Sequence, residues 1–180
     1  MLGRYSPAPV PVLVEALKHD DREVRAYAAA ALGSIAKYGE EPTEVFEMLV
    51  HIYRSDSEVL VQGGALSAIC KFESQRERAY EFMREAFSST ESVMREQAIW
   101  SLTMMEQFDE TFDIEFALQG LNDESPHVRS QAAWLLNVRI STDSLRPHQE
   151  LLREFAESDD ENVRGAVRRQ LLQIQDAIED

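Results

Sequence analysis

The sequence predicts an all-α protein of about five two-helix hairpins, stacked side by side into a solenoid. Three observations predict it. A ten-residue block recurs five times, led by Val24, Val61, Met94, Val128 and Val163, at spacings of 37, 33, 34 and 35 residues. Apolar residues fall at the first, fifth and ninth place of every block, which is one face of a helix. A second amphipathic stretch precedes each block, and no strand-like alternation competes with the helical period.

The elements follow in order. The first hairpin joins Val10–Leu17, entered through Pro9 and Pro11, to the block at Val24 across the turn His19-Asp20-Asp21. The second runs Val45–Tyr53, started by Pro42 and Thr43, then Ser55-Asp56-Ser57 and the block at Val61. The third is Ala79–Phe87, Ser88-Ser89-Thr90 and the block at Met94. The fourth is Ile114–Leu121, Asn122-Asp123-Glu124-Ser125 and the block at Val128. The fifth is Leu151–Ala156 after Pro147, then Ser158-Asp159-Asp160 and the block at Val163. Aspartate and serine in these turns are suited to capping the helix that follows and to meeting its positive dipole end. The expected organisation is one domain over residues 1–180, with repeats near 8–39, 40–74, 75–108, 109–142 and 143–180. One hairpin cannot bury both of its apolar faces, so neighbours must stack to complete the core.

The first block with its turn reads Asp20, Val24, Arg25, Ala28, Ala29, Ala31, Leu32 and Gly33. Val128, Arg129, Ala132, Ala133 and Leu136 repeat the pattern, as do Asp159, Val163, Arg164 and Leu171. These residues resemble the HEAT-repeat family, in particular the short repeats named for phycobilisome lyases. The second block departs most, with Gln62 where arginine is expected. The resemblance implies a right-handed α-solenoid. It also implies that Arg25, Arg95, Arg129 and Arg164 are structural, pairing with turn acids such as Asp20 and Asp159 to tie successive repeats together.

Composition narrows the function. The formal net charge is −15, the wrong sign for displacing counterions from nucleic-acid phosphates or for approaching an acidic membrane surface. Residues 1–90 hold 14 acidic and 10 basic side chains, and residues 91–180 hold 19 and 8, so the second half would attract a basic partner. Solubility or salt adaptation is the plainer reading of that acidity. The one cysteine, Cys70, cannot form an internal disulfide. No run approaches the ~20 apolar residues of a membrane span, and the Met1–Pro9 lead lacks the apolar core of a signal peptide. A cytoplasmic, monomeric and self-contained protein is expected.

At about 100° per residue, the third, seventh and tenth block positions lie opposite the core side and are expected to line the concave groove. The row reads Ala26, Ala30, Gly33; Gly63, Ser67, Cys70; Glu96, Trp100, Thr103; Ser130, Trp134, Asn137; Gly165, Arg169, Leu172. Both tryptophans occupy the same repeat position. Tryptophan and arginine dominate binding hot spots. Trp100 and Trp134, with Glu96, Thr103, Ser130, Asn137 and Arg169, are therefore the candidate contacts for an apolar ridge or amphipathic helix of a partner. The competing reading is that the two rings only fill space between helices.

Other signals are discounted. Gly63-Gly64 has no phosphate-loop context and suits close backbone approach instead. Glu47 and His51 are spaced like half a metal site but have no further ligands. Cys70 is expected to be a small filler facing the groove, and the run Glu106, Asp109, Glu110, Asp113, Glu115 a solvated linker and helix start. No His-Glu dipeptide supports an iron-binding hydroxylase, and no catalytic set assembles. The expected function is a non-catalytic adaptor holding a basic or amphipathic helical protein or peptide, without cofactor or metal. The alternatives are a bilin lyase-like subunit, which the resemblance implies, and an acidic immunity-type inhibitor of a basic enzyme.

Overall fold

A computed structural model describes residues 9–38, 42–105 and 109–179. Among them every regular element is helical. The helices are α1 (Pro9–Ala16), α2 (Arg22–Tyr38), α3 (Thr43–Ser55), α4 (Val59–Ile69), α5 (Arg76–Phe87), α6 (Ser92–Met104), α7 (Glu110–Gly120), α8 (Pro126–Val138), α9 (Thr142–Leu145), α10 (Gln149–Phe155) and α11 (Glu161–Glu179). Short 3-10 turns lie at Glu73–Gln75 and Arg146–His148. The chain forms two compact units, Met1–Met105 and Glu106–Asp180.

In the first unit, α1 packs on α2, α3 on α4 and α5 on α6, and the second helices of the hairpins line up as α2, α4, α6. Alanine and glycine allow that alignment. A Cβ added at Gly33 would lie 2.6 Å from the Cα of Ala68, so α2 and α4 meet nearly backbone to backbone. Gly64 is pressed in turn on the Ala26 carbonyl, where a Cβ would sit 3.2 Å from the oxygen. The first helices supply the bulk. Phe46 meets Phe72 edge to face at 5.3 Å, and Tyr53 meets Phe82 at 5.7 Å. Their outer surfaces are stitched by Arg78 to Glu47 and Arg54 to Glu85, with each guanidinium over a ring, Phe46 and Phe82 respectively.

In the second unit, α7 packs on α8, and α9 and α10 pack on α11, which lies along α8. Asp109 caps α7 by accepting from the Thr111 and Phe112 amides, and Phe112 stacks on Phe116 at 4.6 Å. The fifth hairpin departs from a continuous first helix. Pro147, without an N–H, breaks it into α9, a 3-10 turn and α10.

Candidate functional site

The recurrent arginine forms a staple at each turn. Arg25 Nη1 donates to the carbonyls of His19 at 2.8 Å and Asp20 at 2.9 Å. Arg95 does the same to Ser89 and Thr90, Arg129 to Asp123 and Glu124, and Arg164 to Ser158 and Asp159. These carbonyls have no helical partner, so one guanidinium edge satisfies two of them. The other edge reaches the next repeat. Arg25 Nε lies 2.7 Å from Asp56, and Arg129 Nε 2.8 Å from Asp160. The expectation that Asp20 and Asp159 supply the acids is corrected here: both contribute their carbonyl oxygens, and the carboxylates come from Asp56 and Asp160. Gln62 keeps half the staple, donating to the Asp56 carbonyl at 2.8 Å. Its repeat is followed by a turn with serine, not aspartate, at the capping place, where Ser89 Oγ accepts from the Glu91 amide.

The arginines hold the carboxylates in their charged form. The Arg25 guanidinium holds Asp56 below its usual range, helped by the Glu58 amide. Burial pulls Asp160 upward, but Arg129 and the amides of Val163 and Asn162 outweigh it and leave it lowered.

The row of third, seventh and tenth positions is displaced from where the sequence reading places it. In α2, α4 and α8 those positions lie on the edge that meets the following second helix. Ala26, Gly33, Gly63 and Cys70 are buried there, and Ser67 Oγ lies 3.2 Å from Ser101 Oγ across the α4–α6 seam. The Cys70 thiol is shut in that seam against Ser101, and burial pushes it up to about 12; it is a filler, but it does not face a groove. Asn137 is likewise drawn into the α8–α11 seam, donating to the Ala133 carbonyl at 2.7 Å and accepting from Gln170 at 3.3 Å. Thr103 Oγ1 donates to the Trp100 carbonyl at 2.6 Å.

Trp100 and Trp134 nevertheless remain open to solvent, each at 42% exposure. Trp100 belongs to the first unit and Trp134 to the second. The first unit also exposes two apolar residues that sequence reasoning missed. Val93 is exposed seven residues, two helical turns, before Trp100, and Leu60 is exposed at the equivalent place on α4. Half-buried Glu96 sits between Val93 and Trp100 on the same side of α6. The signal that would have found Leu60 and Val93 is the position just before each block. In the second unit, Trp134 and Val138 are exposed four apart on α8, with half-buried Ser130 one turn earlier, and Arg169 is exposed on α11.

The acid run behaves unlike a solvated linker. Glu106 lies outside the described residues. Glu110 accepts from the Ser141 amide and from Ser144 Oγ. Asp113 is 1% exposed and paired with Arg139 at 3.3 Å; burial, partly offset by Arg139, pushes its carboxyl up to about 6. Glu47 is taken by Arg78, and no group of three or more His, Cys, Asp or Glu side chains with metal-binding geometry occurs among the described residues. No helix among them is long and apolar enough to cross a membrane.

Known proteins match this arrangement. The family model of HEAT repeats matches residues 1–69, and that of a HEAT repeat matches residues 114–138. No curated protein matches the chain. Among solved structures, an engineered protein is similar at 23% identity over 94% of this chain and 80% of its own, with a TM-score of 0.57. Escherichia coli YibA is similar at 15% identity over 97% of this chain and 63% of its own, with a TM-score of 0.69. The complex of CpcE and CpcF of phycocyanin lyase from Nostoc sp. PCC7120 gives 21% identity, 94% and 99% coverage, and a TM-score of 0.60. At these identities the likeness is one of fold. The recurrent blocks, the turn staples and both family matches agree: the chain carries HEAT repeats and has an α-solenoid fold.

Proposed function

We propose that the protein is a non-catalytic adaptor that holds a basic or amphipathic helical segment of another protein on the open face of its second helices. The observation that carries this reading is Trp100, half open to solvent on α6 with exposed Val93 on the same side of that helix; Trp134 is open at the same repeat position within the second unit. Large exposed apolar side chains in one patch are costly to leave wet and are typical of binding surfaces. Glu96 within the patch, and the net charge of −15, favour a partner with lysine or arginine beside its apolar ridge.

The test is affinity capture from source-cell lysate with wild type beside Trp100→Ala, Trp134→Ala and the double variant, each checked for helicity. Each truncation should weaken binding by about 2 kcal/mol or more where its ring is a hot spot. A partner held equally by all four proteins would remove both tryptophans from the site. The likeness to phycocyanin lyase chains supports a second reading as a lyase-like subunit, although Arg169 is the one cation in the row. A shift in bilin absorbance on mixing would favour that reading, and a flat spectrum would dismiss it.

A further inference from the structure

The open side of α6 carries one polar interruption. Val93, Gln97 and Trp100 stand four and three residues apart, so they form one stripe along the helix. Val93 and Trp100 are exposed, and the glutamine between them is half-buried. Its Oε1 accepts from Ser67 Oγ of α4 at 3.5 Å, and its Nε2 makes no hydrogen bond among the described residues. A primary amide holds two donors and an acceptor with two lone pairs, so most of that capacity is unused. The second unit carries the same pair on α8. Gln131 is half-buried, makes no hydrogen bond among the described residues, and stands three residues before exposed Trp134. The pair is not a requirement of the repeat: the equivalent places hold Gly64 and Ser67 on α4, and Ala166 and Arg169 on α11.

The surroundings set what such an amide can meet. On the neighbouring α4, Gly64 and Ser67 give a floor without bulk, and Leu60 stands exposed at its end. Within the spans of α4 and α6 the charged side chains are Arg95 and Glu96 alone. Arg95 is buried and donates to the Ser89 and Thr90 carbonyls. Glu96, four residues before Trp100, forms no ion pair among the described residues. Beyond the helix ends, Glu58 is paired with Arg22, Glu91 precedes α6 and Lys71 follows α4. Glu96 is therefore the charge on these two helices that an incoming side chain meets. A carboxylate one turn from an indole suits a lysine or arginine, whose stem packs on the ring while its charge is neutralised.

We propose that Gln97, Trp100 and Glu96 grip an extended stretch of the partner chain. The Gln97 amide bonds one of its peptide groups, and an adjacent lysine or arginine lies along the Trp100 ring to reach Glu96. The proposal rests on the adaptor reading and narrows it from a helix to an extended basic segment. The peptide groups of a helix are already bonded within it. Those of an extended segment are open, and a side-chain amide can both donate to one and accept from it. Along the helix axis Gln97 and Trp100 are about 4.5 Å apart, close to the ~3.3 Å rise per residue of an extended chain, so amide and ring address neighbouring residues. At α8, Ser130 stands in place of Glu96, so that pair lacks the carboxylate and the basic preference belongs to α6.

The experiment selects ligands for the full chain from a random linear peptide library and measures the affinities of the synthetic peptides it yields. These should share a lysine or arginine and show no helical period. Trp100→Ala should weaken them by roughly 30-fold, and Gln97→Met, which keeps the packing beside Gly63, by roughly 5-fold. Two couplings identify the contacts. Replacing one peptide bond of the ligand by an ester should weaken binding to wild type but not to Gln97→Met. Replacing its basic residue by norleucine should cost less in Glu96→Gln than in wild type. Penalties that these variants leave unchanged would overturn the proposal. Peptides that are helical and ignore Gln97, or that need Trp134 and not Trp100, would overturn it too and leave the adaptor reading standing. No enriched peptide, or peptides held equally by Trp100→Ala and Trp134→Ala, would overturn both. If Gln97→Met loses helicity, Gln97→Glu, which keeps the shape but cannot donate, serves in its place.

Discussion

The arginine at the second block position shows how much one side chain does in this fold. Arg129 satisfies two turn carbonyls and neutralises Asp160, whereas Arg164, among the described residues, makes only the carbonyl bonds. Arg129→Ala should therefore destabilise the protein by about 1–3 kcal/mol, and Arg164→Ala by clearly less, in urea unfolding of dilute protein. Equal losses would mean that the carboxylate adds nothing. The staple was legible because the arginine recurs at fixed spacing; its acid partner was not, since the carboxylate comes from the next repeat's turn, 31 residues away, and only stacking brings it to the guanidinium. Asp113 was misread for a related reason. Its neighbours in sequence are acids, and only the return of the chain at Arg139 buries it. With its carboxyl pushed up to about 6, the folded protein binds that proton more tightly than the unfolded chain does. From this group, stability falls as pH rises from about 4 to about 6, by up to about 3 kcal/mol. Asp56 and Asp160, held low, act oppositely, adding stability above their unfolded values that is lost as pH falls through their folded ones. Asp113→Asn should remove its downward contribution and leave a flatter profile between pH 4 and 6. The difference in slope is the readout, because at any single pH the variant also leaves Arg139 without its counter-charge.

At the scale of the helix, backbone proximity and helix propensity compete, and two glycines separate them. Gly33 and Gly165 hold the tenth and third positions of their blocks. Replacing an interior helical glycine by alanine gains roughly 0.5–1 kcal/mol of propensity. At Gly33 the new methyl would meet the backbone of Ala68, which cannot move without shifting α4. Gly33→Ala should cost a net 1–3 kcal/mol, on the order of other overpacked cores. Gly165→Ala, with open space before it, should stabilise the monomer by roughly 0.5–1 kcal/mol, read as a rise in the urea midpoint. Two substitutions of one kind and opposite sign would locate the seam. Helix positions were legible from the first, fifth and ninth places, and the hairpin order followed from the capping turns. The face was not: an i, i+4, i+8 stripe fixes the core side but not how far round the helix the neighbouring helix sits. An offset of a few tens of degrees placed Ala26, Gly33, Gly63 and Cys70 in a seam and left Leu60 and Val93 outside.

For the whole molecule the dominant long-range quantity is charge, and its two explanations have different salt signatures. A net charge of −15 on a small protein repels itself in the folded state. Screening at ~0.1 M salt shortens the range of that repulsion to about 10 Å, so the melting temperature should rise as salt is added from a low starting point. That rise follows from the net charge and says nothing about partners. Steering does. If the acidity guides a basic segment to the open face, the association rate of a cationic amphipathic peptide should fall roughly 10-fold or more over the same salt range, while its dissociation rate changes little. The steering is carried by the whole field, so Trp100→Ala should leave the salt dependence of association intact and raise the dissociation rate. An association rate indifferent to salt would confine the acidity to solubility and remove the basic partner, even if the tryptophan face still bound an apolar helix. Stability and association measured on one salt series therefore separate a charge that keeps the protein soluble from one that recruits its target.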